Sequence, residues 1–202
     1  MDNLERKADG LPYHYDDPAI MGDQLEYQEL LCQFNRTHPT DQEGKQRLLK
    51  QMFAEIGEGC HVETPAHSNW GFHNVHMGEG TYCNTNFTCV DDADIYIGDY
   101  CLFGPNVVIA TAGHPVLPVL REHHYTYCIP VRIGRNVWVG SNVSILPSVT
   151  IGDNTVIGAG SVVTSDIPAN VVAFGSPCCV VREIGDKDLR VYFKDRELDV
   201  WD

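Results

Sequence analysis

His114 stands in the run Thr111-Ala112-Gly113-His114-Pro115 and is the residue whose type and placement best suit acid–base chemistry. An imidazole with an ordinary pKa near ~6.5 takes a proton from an alcohol around neutral pH when a carboxylate or carbonyl orients its other nitrogen. The chain holds nine histidines, so only position singles this one out, and capping a coil or donating to a backbone carbonyl is an equally open role. The eight cysteines, Cys32, Cys60, Cys83, Cys89, Cys101, Cys128, Cys178 and Cys179, form no CxxC pair and no spacing of a structural zinc site. Cys83, Cys89 and Cys101 fall at or near repeat positions, where an inward thiol substitutes for valine, and read as small buried hydrophobes. No Ser or Cys lies in a recognisable nucleophile context, which points away from covalent catalysis.

The elements that must position such a residue follow a beat of six. Ile133, Val139, Ile145, Ile151, Ile157 and Val163 recur every six positions, with glycine after four of them at Gly134, Gly140, Gly152 and Gly158. That period fits neither a helix nor a simple exposed strand. Hexapeptide repeats build parallel β-helices, in which three hexads close one triangular turn and the recurring β-branched residues stack inward. The Gly, Asn and Asp residues are expected at the corners, supplying tight bends of positive φ.

The beat does not begin at the N-terminus. Leu25, Leu30, Leu31 and Phe34, then Leu48, Leu49, Met52 and Phe53, recur at helical spacing, which predicts a helical cap over residues 1–57. Thr40 with Glu43 reads as a capping box, and Gly57 and Gly59 read as the close of the second helix. The coil is expected over 58–181 and a charged tail over 182–202, whose Tyr192 and Phe193 are expected to pack on a neighbour. Met77, Cys83 and Cys89 share one phase, and Ile97, Phe103 and Ile109 another, so the register slips near Asp91-Asp92-Ala93-Asp94 and predicts a bulged corner. From 111 to 130 the chain abandons the repeat and then resumes in phase at Ile133, which predicts an extruded loop on a rigid scaffold, the usual place for function. Asp166-Ile167-Pro168 and Gly175-Ser176-Pro177 are expected to end the repeat.

Fourteen Lys and Arg against 28 Asp and Glu give a formal charge of −14, which argues against broad nucleic-acid binding. The N-terminus is polar and no apolar run is long enough to span a bilayer, so a cytoplasmic protein without a membrane is expected.

Several motifs carry a more specific likeness. Phe34-Asn35 with His38-Pro39, Val90-Asp91-Asp92, the run around His114, Ile133-Gly134-Arg135-Asn136-Val137-Trp138-Val139-Gly140 and Val156-Ile157-Gly158-Ala159-Gly160-Ser161-Val162-Val163-Thr164 resemble the galactoside and maltose O-acetyltransferases over nearly the whole chain. The resemblance implies an all-β, left-handed parallel β-helix, a homotrimer with active sites between subunits, acetyl-CoA as donor, a sugar hydroxyl as acceptor and no metal. By the same resemblance His114 is the general base and Asn84 contacts acetyl-CoA, where its amide can serve the thioester oxyanion. Asp92 binds acceptor hydroxyls, Tyr82, Asn69 and one of the pair Asp16 and Asp17 (Asp17 preferred) line the sugar pocket, and Thr126 walls it. Ser141, Ala159, Thr164, Ser165 and Arg182 line the coenzyme A groove, with Trp138 beside the pantetheine arm.

Two positions depart from the family pattern. Cys179 and Ser165 stand where an Arg and a Lys are usual. Each lost cation would face a coenzyme A phosphate at a cost of about 1 to 3 kcal/mol, which leaves Arg182 as the main phosphate ligand. Two other readings stay open at this point. A γ-type carbonic anhydrase uses the same fold with three histidines on zinc, for which His73, His76, His114, His123 and His124 are candidates. A non-catalytic β-helix trimer with a decayed site is suggested by Cys179 and Ser165.

Overall fold

Three columns of apolar side chains run down the interior of the molecule. Met77, Ile97, Ile133, Ile151 and Ile167 form one; Val62, Cys83, Phe103, Val139, Ile157 and Ala173 the second; Cys89, Ile109, Ile145 and Val163 the third, all at most 4% exposed. The computed structural model describes residues 1–200. Each column belongs to one parallel sheet, because equivalent residues of successive coils pair directly: Ile97 with Ile133 and Ile133 with Ile151, Phe103 with Val139, Ile109 with Ile145. The three sheets wrap about six turns of a left-handed parallel β-helix. An aromatic file of Phe53, Phe72, Phe87 and Phe103, with successive centroids 5.0, 6.1 and 5.2 Å apart, is buried in the core of its N-terminal coils.

The corners bear out the expectation for asparagine and correct it for the glycines that follow the apolar beat. Positive φ is carried chiefly by asparagine: Asn86, Asn106 and Asn142 (60°, 59° and 58°) on one edge, Asn136, Asn154 and Asn170 (56°, 58° and 58°) on another. Their side chains form amide ladders, Asn86 Nδ2 donating to Asn106 Oδ1 at 2.9 Å and Asn106 to Asn142 at 3.0 Å. The repeat glycines serve a different purpose. A Cβ on Gly140 would lie 2.6 Å from the Ala159 amide nitrogen of the next coil, so close stacking of coils excludes it.

The N-terminal cap holds four helices, α1 (Asn3–Ala8), α2 (Pro18–Met21), α3 (Gln24–Asn35) and α4 (Gln42–Met52). Leu31, Phe34, Leu48, Leu49, Met52 and Phe53 join the core of the first coil, but Leu25 is 82% exposed. The N-cap of α4 is Asp41, whose carboxylate accepts from the Gly44 amide at 2.9 Å, and not Thr40. Gly57 does not close the helix, which ends at Met52; its backbone lies against Gly78 and Glu79, and Glu55–Ile56 is already the first strand of the coil.

The slip near Asp92 is a corner holding two extra residues, with pairing kept on both sides: Cys89 opposite Ile109, Met77 opposite Ile97. The loop leaves after Val108–Ala110 and re-enters at Val131–Ile133. Within it Ala112–Gly113 pairs antiparallel with Tyr125–Cys128, and α5 (Pro118–Glu122) makes the tip. The N-terminal strand Tyr13–His14 pairs with the other edge of Tyr125–Cys128, so cap and loop form one three-stranded sheet. The coil runs on past Val163: Ile167 bridges Ile151, Ala173 pairs with Ile157, and Cys179–Glu183 folds back antiparallel on Val171–Phe174. In the tail, Tyr192 and Phe193 are exposed on the single chain.

Six of the cysteines are buried, and burial pushes the thiols of Cys83 and Cys89 well up and that of Cys101 to about 11. Among the described residues no helix is long and apolar enough to cross a membrane.

Candidate active site

His114 begins where the loop sheet leaves the coil. Its Nδ1 lies 3.1 Å from the carbonyl oxygen of Tyr125 on the neighbouring strand. A carbonyl only accepts, so Nδ1 carries the proton and Nε2 keeps a lone pair. Thr126 is buried beside it and donates to the carbonyl of Gly113 at 3.0 Å, which fixes the strand that carries His114.

Asp92 sits on the bulged corner, held by two donors. Asn69 Nδ2 donates to one carboxylate oxygen at 2.6 Å and Trp70 Nε1 to the other at 3.2 Å. Asn69 is itself anchored, since its Oδ1 accepts from the Asp91 amide at 2.8 Å. Beneath this platform Asp91 is buried: its Oδ1 accepts from Ser68 Oγ (2.6 Å) and the Trp70 amide (3.1 Å), while Oδ2 has no partner among the described residues. Burial raises the Asp91 carboxyl above the usual carboxylate range.

His114, Asp92, Asn69 and Thr126 meet around one cavity of about 420 Å³, whose walls also include Tyr13, Tyr15, Ile20 and Trp70. Sequence reading missed Tyr13, Tyr15, Trp70 and Asp91. The two tyrosines reach the cavity through a pairing more than a hundred residues long in sequence, and no local pattern announces it.

Asp17 is placed differently from the expectation. Its carboxylate caps α2, accepting from the Ala19 amide at 2.9 Å, and also accepts from Asn3 Nδ2 at 2.7 Å. Asp16 instead reaches His124 of the loop, 2.6 Å from its Nδ1.

Asn84 does not enter the cavity. It stands on the edge between the second and third sheets, where Asn84, Gly104, Gly140 and Gly158 occupy equivalent positions in successive coils. Its Oδ1 accepts from the Thr85 amide at 2.8 Å, which leaves the NH2 group as the end available to donate. Ser141 and Ala159 lie on the same edge, one residue further on. Tyr82 and Trp138 flank it on the outer face of the second sheet, both registered with Leu102 between them. Trp138 is 56% exposed, outside the triangular core. Thr164 and Ser165 are exposed on the other edge, after the third sheet, where the loop departs. Arg182 is not a free cation: it donates to both oxygens of Asp188 at 2.7 Å, and this pairing holds the Asp188 carboxyl at about 2.

Four of the five histidines named for a zinc site have other partners, His114 and His124 as described above. His73 stacks on Tyr27 at 3.8 Å, and His76 lies between Glu55 and Asp94 at 3.1 and 3.3 Å. Among the described residues no three His, Cys, Asp or Glu side chains converge within the chain.

Comparison with known proteins extends this geometry. Residues 130–165 match the model for the bacterial transferase hexapeptide, and residues 7–57 match the maltose acetyltransferase hexapeptide capping motif. The galactoside O-acetyltransferase of Lactococcus lactis is 50% identical over 93% of this chain and 91% of its own length. That of Escherichia coli is 51% identical over 84% of this chain and 83% of its own. A solved galactoside acetyltransferase in complex with coenzyme A superposes with a TM-score of 0.95 at 46% identity, covering 98% of this chain and 99% of that one. A maltose O-acetyltransferase from Clostridium difficile gives 0.88 at 40% identity, over 92% and 99%. A capped hexapeptide coil, interrupted at one corner by a loop that carries an oriented imidazole, defines a hexapeptide-repeat acyltransferase. Within that class the chain belongs to the galactoside and maltose O-acetyltransferase family.

Proposed function

We propose that this protein transfers the acetyl group of acetyl-CoA directly to a sugar hydroxyl, with His114 as general base. The observation that carries the reading is the Nδ1–H of His114 bonded to the Tyr125 carbonyl, which leaves Nε2 with its lone pair on a side chain that lines the same cavity as Asp92. Nε2 takes the proton of the acceptor hydroxyl as its oxygen attacks the thioester carbonyl. The oxyanion is met by the Asn84 amide, and collapse expels the coenzyme A thiolate, which recovers the proton from the imidazolium. Asp92, with lone pairs left beyond its bonds to Asn69 and Trp70, accepts from ring hydroxyls and fixes which of them faces His114.

The site lies between copies of a homotrimer in this reading. His114 and Asn84 occupy two different edges of one prism, with the third sheet between them, so a second copy is required to bring the edges face to face. Coenzyme A lies along the strip of Trp138, Ser141 and Ala159, with Thr164 and Ser165 on the opposing edge. Its phosphates draw Arg182 from Asp188. Cys179 and Ser165 add no charge there, and both are exposed.

The test is a panel of galactosides, glucose, maltose and chitooligosaccharides assayed for coenzyme A release, alongside a measurement of mass in solution. Acceptor-dependent release by a trimer is the expected result. A monomer that turns over, or release indifferent to every sugar, would overturn the reading.

A further inference from the structure

Tyr15 stands between the two histidines that close the loop. Its ring stacks on His124, centroids 5.4 Å apart with 24° between planes, and meets His114 edge-on at 6.1 Å and 83°. The Tyr15 amide donates to the His124 carbonyl at 3.2 Å, and the neighbouring Asp16 carboxylate accepts from His124 Nδ1 at 2.6 Å. Two hydrogen bonds and a stack therefore tie residues 15 and 16 to one histidine.

Stability does not account for this arrangement. His124 holds a φ of 60°, in the left-handed region that costs a residue with a Cβ more than it costs glycine. The Asp16–His124 contact is half exposed on both sides, 52% and 53%, and polar pairs so exposed add little. What the contacts do achieve is to fix the Tyr15 ring, which is 42% exposed and borders the cavity of Asp92, Asn69 and His114. A pyranose ring has hydroxyls on its rim and C–H bonds on its faces. Asp92 and Asn69 suit the rim, and an immobilised aromatic ring suits a face.

We propose that Tyr15 is the platform on which the acceptor sugar stacks, and that the Asp16–His124 pair is the clamp that sets its ring against His114. The inference rests on the reading of the site as a sugar acetyltransferase, and it makes the enzyme selective for cyclic acceptors over acyclic polyols of equal hydroxyl content.

Steady-state kinetics of the full-length protein test it. Tyr15→Ala should raise the acceptor KM by about tenfold with the acetyl-CoA KM unchanged, and should lower the preference for a pyranoside over sorbitol; Tyr15→Phe should restore most of both. His124→Gly, which relieves the unfavourable φ and so keeps the loop foldable, should raise acceptor KM severalfold when Tyr15 is present and not in the Tyr15→Ala background. An acceptor KM unmoved by Tyr15→Ala, or an equal effect of His124→Gly in both backgrounds, overturns the platform and clamp while leaving sugar acetylation standing. A wild-type protein inactive toward every sugar overturns both.

Discussion

His114 takes its orientation from Tyr125, whose carbonyl oxygen lies 3.1 Å from the imidazole Nδ1. The partner is a main-chain group in the middle strand of a three-stranded sheet, flanked by Ala112–Gly113 on one side and Tyr13–His14 on the other. The tautomer of the base is thereby set by backbone geometry, and side-chain changes at position 125 leave it intact. Removing the strand pairing does not.

His114→Ala should lower kcat by about 10² to 10⁴, the scale for loss of a general base. The residue is exposed, so thermal stability should stay within about 0.5 kcal/mol of wild type. Coenzyme A release at saturating acceptor, with a melting curve beside it, makes the measurement, and full activity in the variant would remove His114 from the chemistry.

Arg182 and Asp188 should respond as a pair. Arg182→Ala should weaken coenzyme A binding, and Asp188→Asn, which releases the guanidinium, should strengthen it. The Asp188 carboxyl is held at about 2, below its ordinary value, so the pair's contribution is complete above pH ~4 and is lost as pH falls toward 2. A carboxyl titration by NMR that placed Asp188 near an ordinary value would contradict the pairing, and a dissociation constant unchanged in Arg182→Ala would end its role with phosphate.

Asp91 should make the protein less stable as pH rises. Burial raises its folded pKa above the unfolded value, so the folded state binds the extra proton and loses that advantage as pH climbs from about 4 through the folded pKa. Asp91→Asn should flatten this part of a urea-unfolding profile. It should also raise acceptor KM, because Ser68 and the Trp70 amide both depend on Asp91 and carry the turn that holds Asp92. A profile identical to wild type would deny the buried carboxyl any linkage to folding.

Thiol reactivity should divide by position. Cys179 is exposed and should alkylate first in the native protein, whereas Cys83, Cys89 and Cys101, at most 1% exposed with thiols pushed up by burial, should react only on unfolding. Mass spectrometry after brief iodoacetamide treatment near pH 8 reads the order directly. Early labelling of Cys89 would mean that the coil opens locally.

The repeat was legible because a coil of hexads is a local device: each residue's inward direction follows from its place in the beat, and Ile133 through Val163 state that beat without interruption. The slip at Asp91–Asp94 and the loop at 111–130 were legible for the same reason, as departures from a strict period. Corner chemistry was legible only in part: asparagine carries the expected positive φ, but the glycines after the apolar beat serve close stacking of coils, and composition alone does not separate the two uses. The N-cap at Asp41 and the exposure of Leu25 escaped because cap and burial are chosen by the packing of α4 and α3 on the first coil.

By itself, then, the sequence determined the coil, its interruptions and the identity of His114 as the residue at the root of the loop, all of which are set by spacing along the chain. Tertiary structure decided what surrounds that histidine. Tyr13, Tyr15 and Asp16 reach the loop from the other end of the protein, Trp70 and Asn69 reach Asp92 across a corner, and Asp188 occupies Arg182. These contacts join residues far apart in sequence, and only the closure of the fold fixes their distances.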